Sequence, residues 1–226
     1  MNYVLFLIVL ATSPFNSFAS SPGEKRECET RKLLSGPIFV EYTNDGDTVV
    51  LRASDGTLVR TRLLGIDTPE THYFGKNQGP WAFQAAQRLK ELLPKGSQVE
   101  VKFDVVSCDS KARTLATIFS NGTNVNQTML DEGWAVNYCV APNFQDCEEF
   151  SRLTERNLSE KRGFLGDPGV ELPYLFRAED LPTGYEYYIG DIVSKVVVSS
   201  KEMDRVPIPN RVFFYSARKI TPPYHL

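Results

Sequence analysis

Five short β-rich runs, punctuated by tight Asp-Gly and Asn-Gly turns, with a single amphipathic helix between the third and fourth, predict an α+β, mainly β protein. Five strands with about three helices interposed and appended are the parts of a small closed barrel of the OB type, followed by a small C-terminal extension. With 226 residues, 42% hydrophobic and 23% charged, the chain is long enough for one full domain and a smaller attachment, and its composition is not that of a disordered protein.

The chain opens on Met1 to Ala19, which carries no charged side chain, runs apolar from Tyr3 to Ala11, and ends in Ser17-Phe18-Ala19. Small residues at the two positions read by a signal peptidase make residues 1–19 a cleaved secretory signal. A retained anchor is the rival, but a span needs about 20 apolar residues, and Pro14 and Asn16 interrupt this run. The expected location is therefore secreted or periplasmic, with no stable membrane span after cleavage.

The strands are expected at Phe39 to Thr43, Thr48 to Ala53, Thr57 to Ile66, Gln98 to Val106 and Ala112 to Phe119. Asp45-Gly46, Asp55-Gly56 and Asn121-Gly122 are turn dipeptides, since Gly takes positive φ without penalty and Asn or Asp bonds its own backbone. The first three runs form a meander. A helix over about Gln78 to Leu93 follows from Ala82, Ala85, Ala86, Leu89, Leu92 and Leu93 at three- and four-residue steps, with Pro94 and Gly96 ending it. A second is expected over Asn126 to Asp131 and a third from about Asp146 to Arg162, stopping at Gly163.

After Asp167-Pro168-Gly169 the composition turns to proline and tyrosine. Ile189 to Ser199 reads as strand-like, with Arg211 to Ser216 as a partner. Fewer than about 60 residues make a marginal core, so this tail is expected to pack on the barrel instead of standing alone. Its tyrosines are expected in core or docking contacts before base stacking.

Four cysteines, Cys28, Cys108, Cys139 and Cys147, form an even set in a chain predicted to leave the reducing cytosol. Three pairings are possible, and the nearby pair Cys139 and Cys147 is the first choice. Zinc is discounted, because neither the cysteine spacing nor His72 and His225 resembles a ligand set. The formal net charge of −3 is opposite to the global footprint of a tight nucleic-acid binder, so any grip on a polyanion must be local.

Chemistry concentrates in three stretches: Asp47 within Asn44-Asp45-Gly46-Asp47-Thr48; Arg62, Asp67 and Glu70 within Arg62-Leu63-Leu64-Gly65-Ile66-Asp67-Thr68-Pro69-Glu70; and Arg113. Three carboxylates and two guanidiniums are the parts needed to cut a phosphodiester with a hard metal ion. Such a diester repels nucleophiles and gains charge in its transition state, so catalysis needs positive charge there and an aimed water. Asp47 and Asp67, with the Thr68 carbonyl and waters, can offer the oxygen ligands that Ca²⁺ takes. Pro69 holds Thr68 extended and turns Glu70 off the strand end, where it can orient or deprotonate that water. Arg62 and Arg113 can each fork onto phosphate oxygens.

Strict alternation, however, puts Arg62 on the face of Leu64 and Ile66 and Asp67 on the other. Convergence requires a bend between Leu64 and Asp67, and Gly65 is where a bulge is tolerated. Taken singly, the charges have plainer readings: Asp45 and Asp47 as turn residues, Arg62 pairing with Glu100, Arg113 with Asp109. His72 reads as a solvated loop histidine.

The joint pattern resembles the staphylococcal nuclease (thermonuclease) family. The resemblance rests on Asp45-Gly46-Asp47-Thr48, on the Arg62 to Glu70 segment, on Asp109 with Arg113, Leu115 and Ala116, and on Asp131-Glu132-Gly133-Trp134-Ala135. It extends from about Gly36 to Gly166, leaving residues 20–35 as an N-terminal segment and 167–226 as an extension without an assigned role. It implies an OB-fold, Ca²⁺-dependent phosphodiesterase acting on DNA and RNA and leaving 3′-phosphates, expected to be a monomer. It also implies metal ligation by Asp47, Asp67 and Thr68, water assistance by Glu70, and phosphate contacts from Arg62 and Arg113. Lys111 and Tyr138 stand where such proteins border the nucleotide, although Ser110-Lys111 replaces the Lys-Tyr pair often found there and Tyr138 is the one pocket tyrosine kept. The rival expectation is a module of the same shape that binds nucleic acid or a protein without catalysis.

Overall fold

The computed structural model describes residues 35–226; the expected leader, Cys28 and the rest of residues 20–34 lie outside them. Three antiparallel strands, β1 (Ile38–Thr43), β2 (Thr48–Arg52) and β3 (Leu58–Leu63), form the meander. β5 (Gln98–Lys102) pairs with β1, β6 (Thr114–Ser120) pairs with β5 and at its end with the two-residue β7 (Thr123–Asn124), and a parallel β3–β6 ladder, Thr61 opposite Thr114 through Leu63 opposite Ala116, closes a five-stranded barrel. Its interior is aliphatic: Val49, Leu51, Leu63, Ala116 and Ile118 are sealed from solvent.

The expected strand from Thr57 to Ile66 is two strands. Gly65 has φ of 75°, and a Cβ there would lie 2.6 Å from the Phe150 ring, so both the backbone and the packing demand glycine. The chain leaves the barrel at this kink. Gly65–Asp67 (β4) then pairs antiparallel with β8 (Val136–Val140), placing Asp67 opposite Val136. The bend anticipated between Leu64 and Asp67 is therefore present. The fourth and fifth runs are shorter than their hydrophobic pattern suggested, stopping at Lys102 and starting at Thr114.

Three helices lie where the periodicity puts them. α1 (Pro80–Leu92) starts with proline at its first turn, where no amide proton is needed, and buries Ala82, Ala85 and Leu89. Asn124 caps α2 (Val125–Asp131), its side chain accepting from the Gln127 amide at 3.1 Å. α3 (Cys147–Ser159) carries Glu148 and Glu149 in its first turn, complementing the helix dipole, and buries Phe150, Leu153 and Asn157. A fourth, short helix, α4 (Pro173–Ala178), lies beyond the barrel.

The C-terminal segment builds a second sheet onto the barrel's exit strand. Its order is β10 (Val197–Ser199), β9 (Tyr188–Asp191), β11 (Arg211–Phe214), β8, β4. The run Ile189 to Ser199 is a hairpin instead of one strand, because the Asp191 carboxylate accepts from the Val193 amide at 2.7 Å and Lys195 takes a left-handed φ of 63°. β11 runs parallel to β8, with Val212 opposite Cys139. Cys139 and Cys147 form a disulfide, Cα atoms 5.9 Å apart, beneath this strand; Cys108 is also disulfide-bonded. Phe164, Tyr174 and Phe213 share one buried cluster with Val136 of β8, and Phe214 and Tyr224 another with Cys139, with Tyr187 and Tyr188 packed partly buried against them, while Tyr185 and Tyr215 are exposed. No helix among the described residues is long and apolar enough to cross a membrane.

Candidate active site

Asp47 stands at the entrance to β2, in a turn that the Asp45 carboxylate holds by accepting from the Asp47 amide at 3.1 Å. Gly46 is required here for space: a Cβ would lie 2.6 Å from the Thr68 hydroxyl. Asp47 Oδ2 accepts from the Thr68 amide (3.0 Å) and hydroxyl (3.1 Å), which fastens the β1–β2 turn to the end of β4. Arg62, on β3 and largely buried, bonds both acids: Nη1 to Asp47 Oδ2 at 2.5 Å and Nη2 to Asp67 Oδ1 at 2.7 Å. Its alternative partner, Glu100, plays no part. The kink at Gly65 is what allows this, since it swings Asp67 back to the side of Arg62.

Glu70 sits just beyond, half-buried, at the mouth of a loop that its carbonyl and amide close through Gln78. The bridge from Asp67 to Glu70 is a residue that no local pattern marks. Arg177, on α4, donates Nη1 to Asp67 Oδ1 (2.9 Å) and to Glu70 Oε1 (2.6 Å), and Nη2 to Asp67 Oδ2 (2.8 Å). It lies 110 positions from Asp67. The result is an alternating chain of charges, Asp47, Arg62, Asp67, Arg177, Glu70.

Arg113 enters differently. Its Nε bonds Asp109 Oδ2 at 2.7 Å, with the Asp109 carboxylate also accepting from its amide, so the plainer pairing anticipated for it is present. It still belongs to the same electrostatic neighbourhood. Burial and then the positive charges of Arg113 and Arg177 lower the pKa of Lys111, with Asp109 and Glu70 opposing them. Lys111, between Asp109 and Arg113 in the turn, gives its backbone amide to Asp109 Oδ1 at 2.9 Å. Tyr138, on β8, is not an open platform: its ring lies against Tyr174 and Phe213, Arg177 lies 5.5 Å over it, and its hydroxyl bonds that of Tyr215. His72 is in none of these contacts and lies in the loop after Glu70.

Burial dominates the electrostatics. It pushes the Asp67 carboxyl up, while the guanidiniums of Arg177 and Arg62 oppose the rise. Three N–H···O bonds from Arg62 and Arg177 end on its two oxygens and favour the carboxylate form against that burial. Glu70 is raised by burial and by the charges of Asp47 and Asp67, and pulled back by Arg177. Asp45 is pushed up to about 7 by burial and the adjacent Asp47 charge.

Among the described residues no three His, Cys, Asp or Glu side chains are set together to hold a metal ion. The reason is visible in the bond pattern, in which guanidiniums separate the acids. The donors themselves suit a hard cation: aspartate and glutamate oxygens, with two acids, Asp67 and Glu70, already gathered about one positive charge. The chemistry of the set fits a divalent ion, and Arg177 stands in for positive charge at that place.

A five-stranded barrel whose rim carries such a set defines a nuclease-like OB domain. The chain belongs to the family described as staphylococcal nuclease homologue, which matches residues 60–165. It is 29% identical over 189 residues to endonuclease YhcR of Bacillus subtilis, covering 79% of this chain and 16% of that protein. At that coverage the match is longer than residues 1–166 and must run into the C-terminal segment. It is 30% identical over 147 residues to endonuclease YncB of the same organism, covering 64% of this chain and 67% of that one. With thermonuclease of Staphylococcus hyicus the identity is 30% over 112 residues, covering 50% and 65%. The chain thus spans about a sixth of YhcR and about two thirds of the other two.

Proposed function

We propose that this chain is a Ca²⁺-dependent nuclease that hydrolyses phosphodiester bonds in DNA and RNA. The observation that carries the reading is the convergence of Asp47, Arg62, Asp67 and Glu70, which the Gly65 kink brings to one rim of the barrel. The names of the relatives, endonuclease and thermonuclease, point the same way. Specificity for both nucleic acids and release of 3′-phosphates rest on kinship alone.

Asp47 and Asp67, with the Thr68 carbonyl, would hold the ion. Its chemistry there is to acidify water and offset charge growing on the phosphate. Glu70, with a pKa raised by burial, accepts a hydrogen bond from the attacking water and takes its proton. Arg62 supports the acids and meets a phosphate oxygen. Arg113, fixed at Nε by Asp109, keeps two terminal nitrogens for the leaving side, and Lys111 adds local positive charge for the polyanion. The apolar Met1 to Ala19 segment and the disulfide between Cys139 and Cys147 favour a secreted or periplasmic setting. The division of labour makes residues 36–166 the nuclease domain and 167–226 an attachment that completes its rim; the protein acts as a monomer.

The test is degradation of single-stranded DNA and of RNA by the purified chain with Ca²⁺ or with chelator. Activity lost in chelator and in Glu70→Gln supports the assignment; full activity in either overturns it. Binding without catalysis is the second reading, favoured by one observation, that Arg177 occupies both Asp67 oxygens. Retention of nucleic acid without degradation at any divalent ion would establish it.

A further inference from the structure

Arg177 is the one member of the charged cluster supplied from outside residues 36–166, and its bonds are those a cation in the site would need to make. Asp67 is wholly buried, and both of its oxygens receive Arg177. The same guanidinium reaches Glu70 at 2.6 Å. Four acids crowd this rim, Asp45, Asp47, Asp67 and Glu70, against two guanidiniums bonded among them, Arg62 and Arg177. Without Arg177, Asp67 and Glu70 would face each other with only Arg62 to balance them. A buried acid in that position is costly, and a cation of either kind relieves it.

The helix bearing Arg177 is held by contacts that are mostly shallow on the side of the loop. Lys76 bonds Asp180 at 3.2 Å and reaches Glu179 at 3.6 Å, all at the surface. Phe176 lies 6.2 Å from the Tyr73 ring, and Gln78 donates to the Glu171 carbonyl at 2.7 Å. The following stretch, residues 180–186, is exposed throughout. By contrast, Tyr174, one turn earlier, is buried and receives Arg211 Nη1 at 3.0 Å, which fixes the helix start. The helix is anchored at its first turn by Tyr174, and its last turn is held chiefly by Arg177's own bonds to Asp67 and Glu70.

We propose that Arg177 is a tethered cation that holds the metal ion's place on Asp67 and Glu70 and competes with it, so that the C-terminal extension sets the divalent-ion requirement of the site. This rests on the reading that Asp47 and Asp67 hold the ion. An ion taking Asp67 Oδ1 must displace a guanidinium nitrogen, because that oxygen already accepts from both Arg62 Nη2 and Arg177 Nη1, and an ion on Oδ2 must share it with Arg177 Nη2. Release of Arg177 also frees Glu70 Oε1 to accept from water. The extension is thereby a brake that the ion lifts.

The test measures ion binding in the full chain, with no substrate present. Calorimetric Ca²⁺ titration of the wild type, Arg177→Met and Arg177→Lys should show roughly tenfold tighter binding for Met, the scale of ordinary site-to-site coupling, with Lys between, since it keeps the charge and loses the fork. Unchanged or weaker binding in Arg177→Met, with the fold verified by circular dichroism, overturns the competition while leaving the nuclease reading intact. Because the variant removes a buried partner and can unfold, a second measurement uses the wild type alone. Amide exchange over residues 173–180 should quicken on adding Ca²⁺ while that of β4 slows. Slowing in both segments overturns the proposal. Absence of Ca²⁺ binding in every variant would remove the ion from the site altogether, taking this inference with it, and the chelator assay above reports that failure separately.

Discussion

The barrel and the segment after Gly166 are built from different materials. The barrel interior is aliphatic, made of Val49, Leu51, Leu63 and Ile118, in strands that pair mostly with their sequence neighbours. The C-terminal segment packs Tyr174, Phe213, Phe214 and Tyr224 around strands that need β8 as a template. Local antiparallel pairing with branched side chains is self-sufficient; the parallel β8–β11 ladder is formed only after the barrel exists. The chemistry is divided the same way. The barrel holds Asp47, Arg62, Asp67 and Glu70 in place, and the later segment contributes Arg177, a charge that acts on that set.

The comparison can be broken most decisively at the chemistry. Glu70→Gln should lower turnover by roughly 10²–10⁴-fold, the ordinary contribution of a proton-accepting side chain, in a steady-state nuclease assay, while its melting temperature stays near that of the wild type. Core truncations rank next. Leu63→Ala and Phe213→Ala should cost about 2–5 kcal/mol each by denaturant titration. If the later segment depends on β8 as a template, both variants unfold in a single transition; a separate early transition in Phe213→Ala would mean the two regions melt apart.

A smaller effect belongs to the covalent staple. Paired Cys139→Ala and Cys147→Ala substitutions open an eight-residue separation and should cost roughly 2–3 kcal/mol by loop-closure entropy, seen as a lower denaturant midpoint. The last expected effect is confined to a pH window. Asp45 has a folded-state pKa of about 7 against 3.8 for the free side chain, so between these values the folded protein holds a proton that the unfolded chain releases. Its contribution therefore favours folding at low pH and is lost as pH rises from about 4 to about 7. Asp45→Asn should raise the melting temperature of the metal-free protein more at pH 8 than at pH 5; equal gains at both would remove Asp45 as the source.

Much of the site was legible because its parts lie close in sequence. Asp67, Pro69 and Glu70 are fixed by one short segment, and the conflict between strand alternation and convergence of Arg62 with Asp67 pointed to Gly65, whose φ of 75° resolves it. Arg113 was legible in both of its readings, and the pairing with Asp109 is one of them. Strand β8 was not anticipated, although Ala135 to Ala141 is apolar enough, because its partners, three residues of β4 and the distant β11, are invisible to local pattern. Arg177 had no local mark beyond a short Pro173-started helix; its meaning is created by two acids more than 100 positions away.

The sequence by itself determined the barrel strands, the three helices around them and the identity of the acids and arginines, since propensity, alternation and turn chemistry act over a few residues. Tertiary structure alone decided that the last segment joins the sheet of β4 and β8 and delivers a guanidinium to Asp67 and Glu70. The physical reason is that burial of charge is settled by whatever the fold brings within hydrogen-bond reach, and no periodicity along the chain encodes a contact of that range.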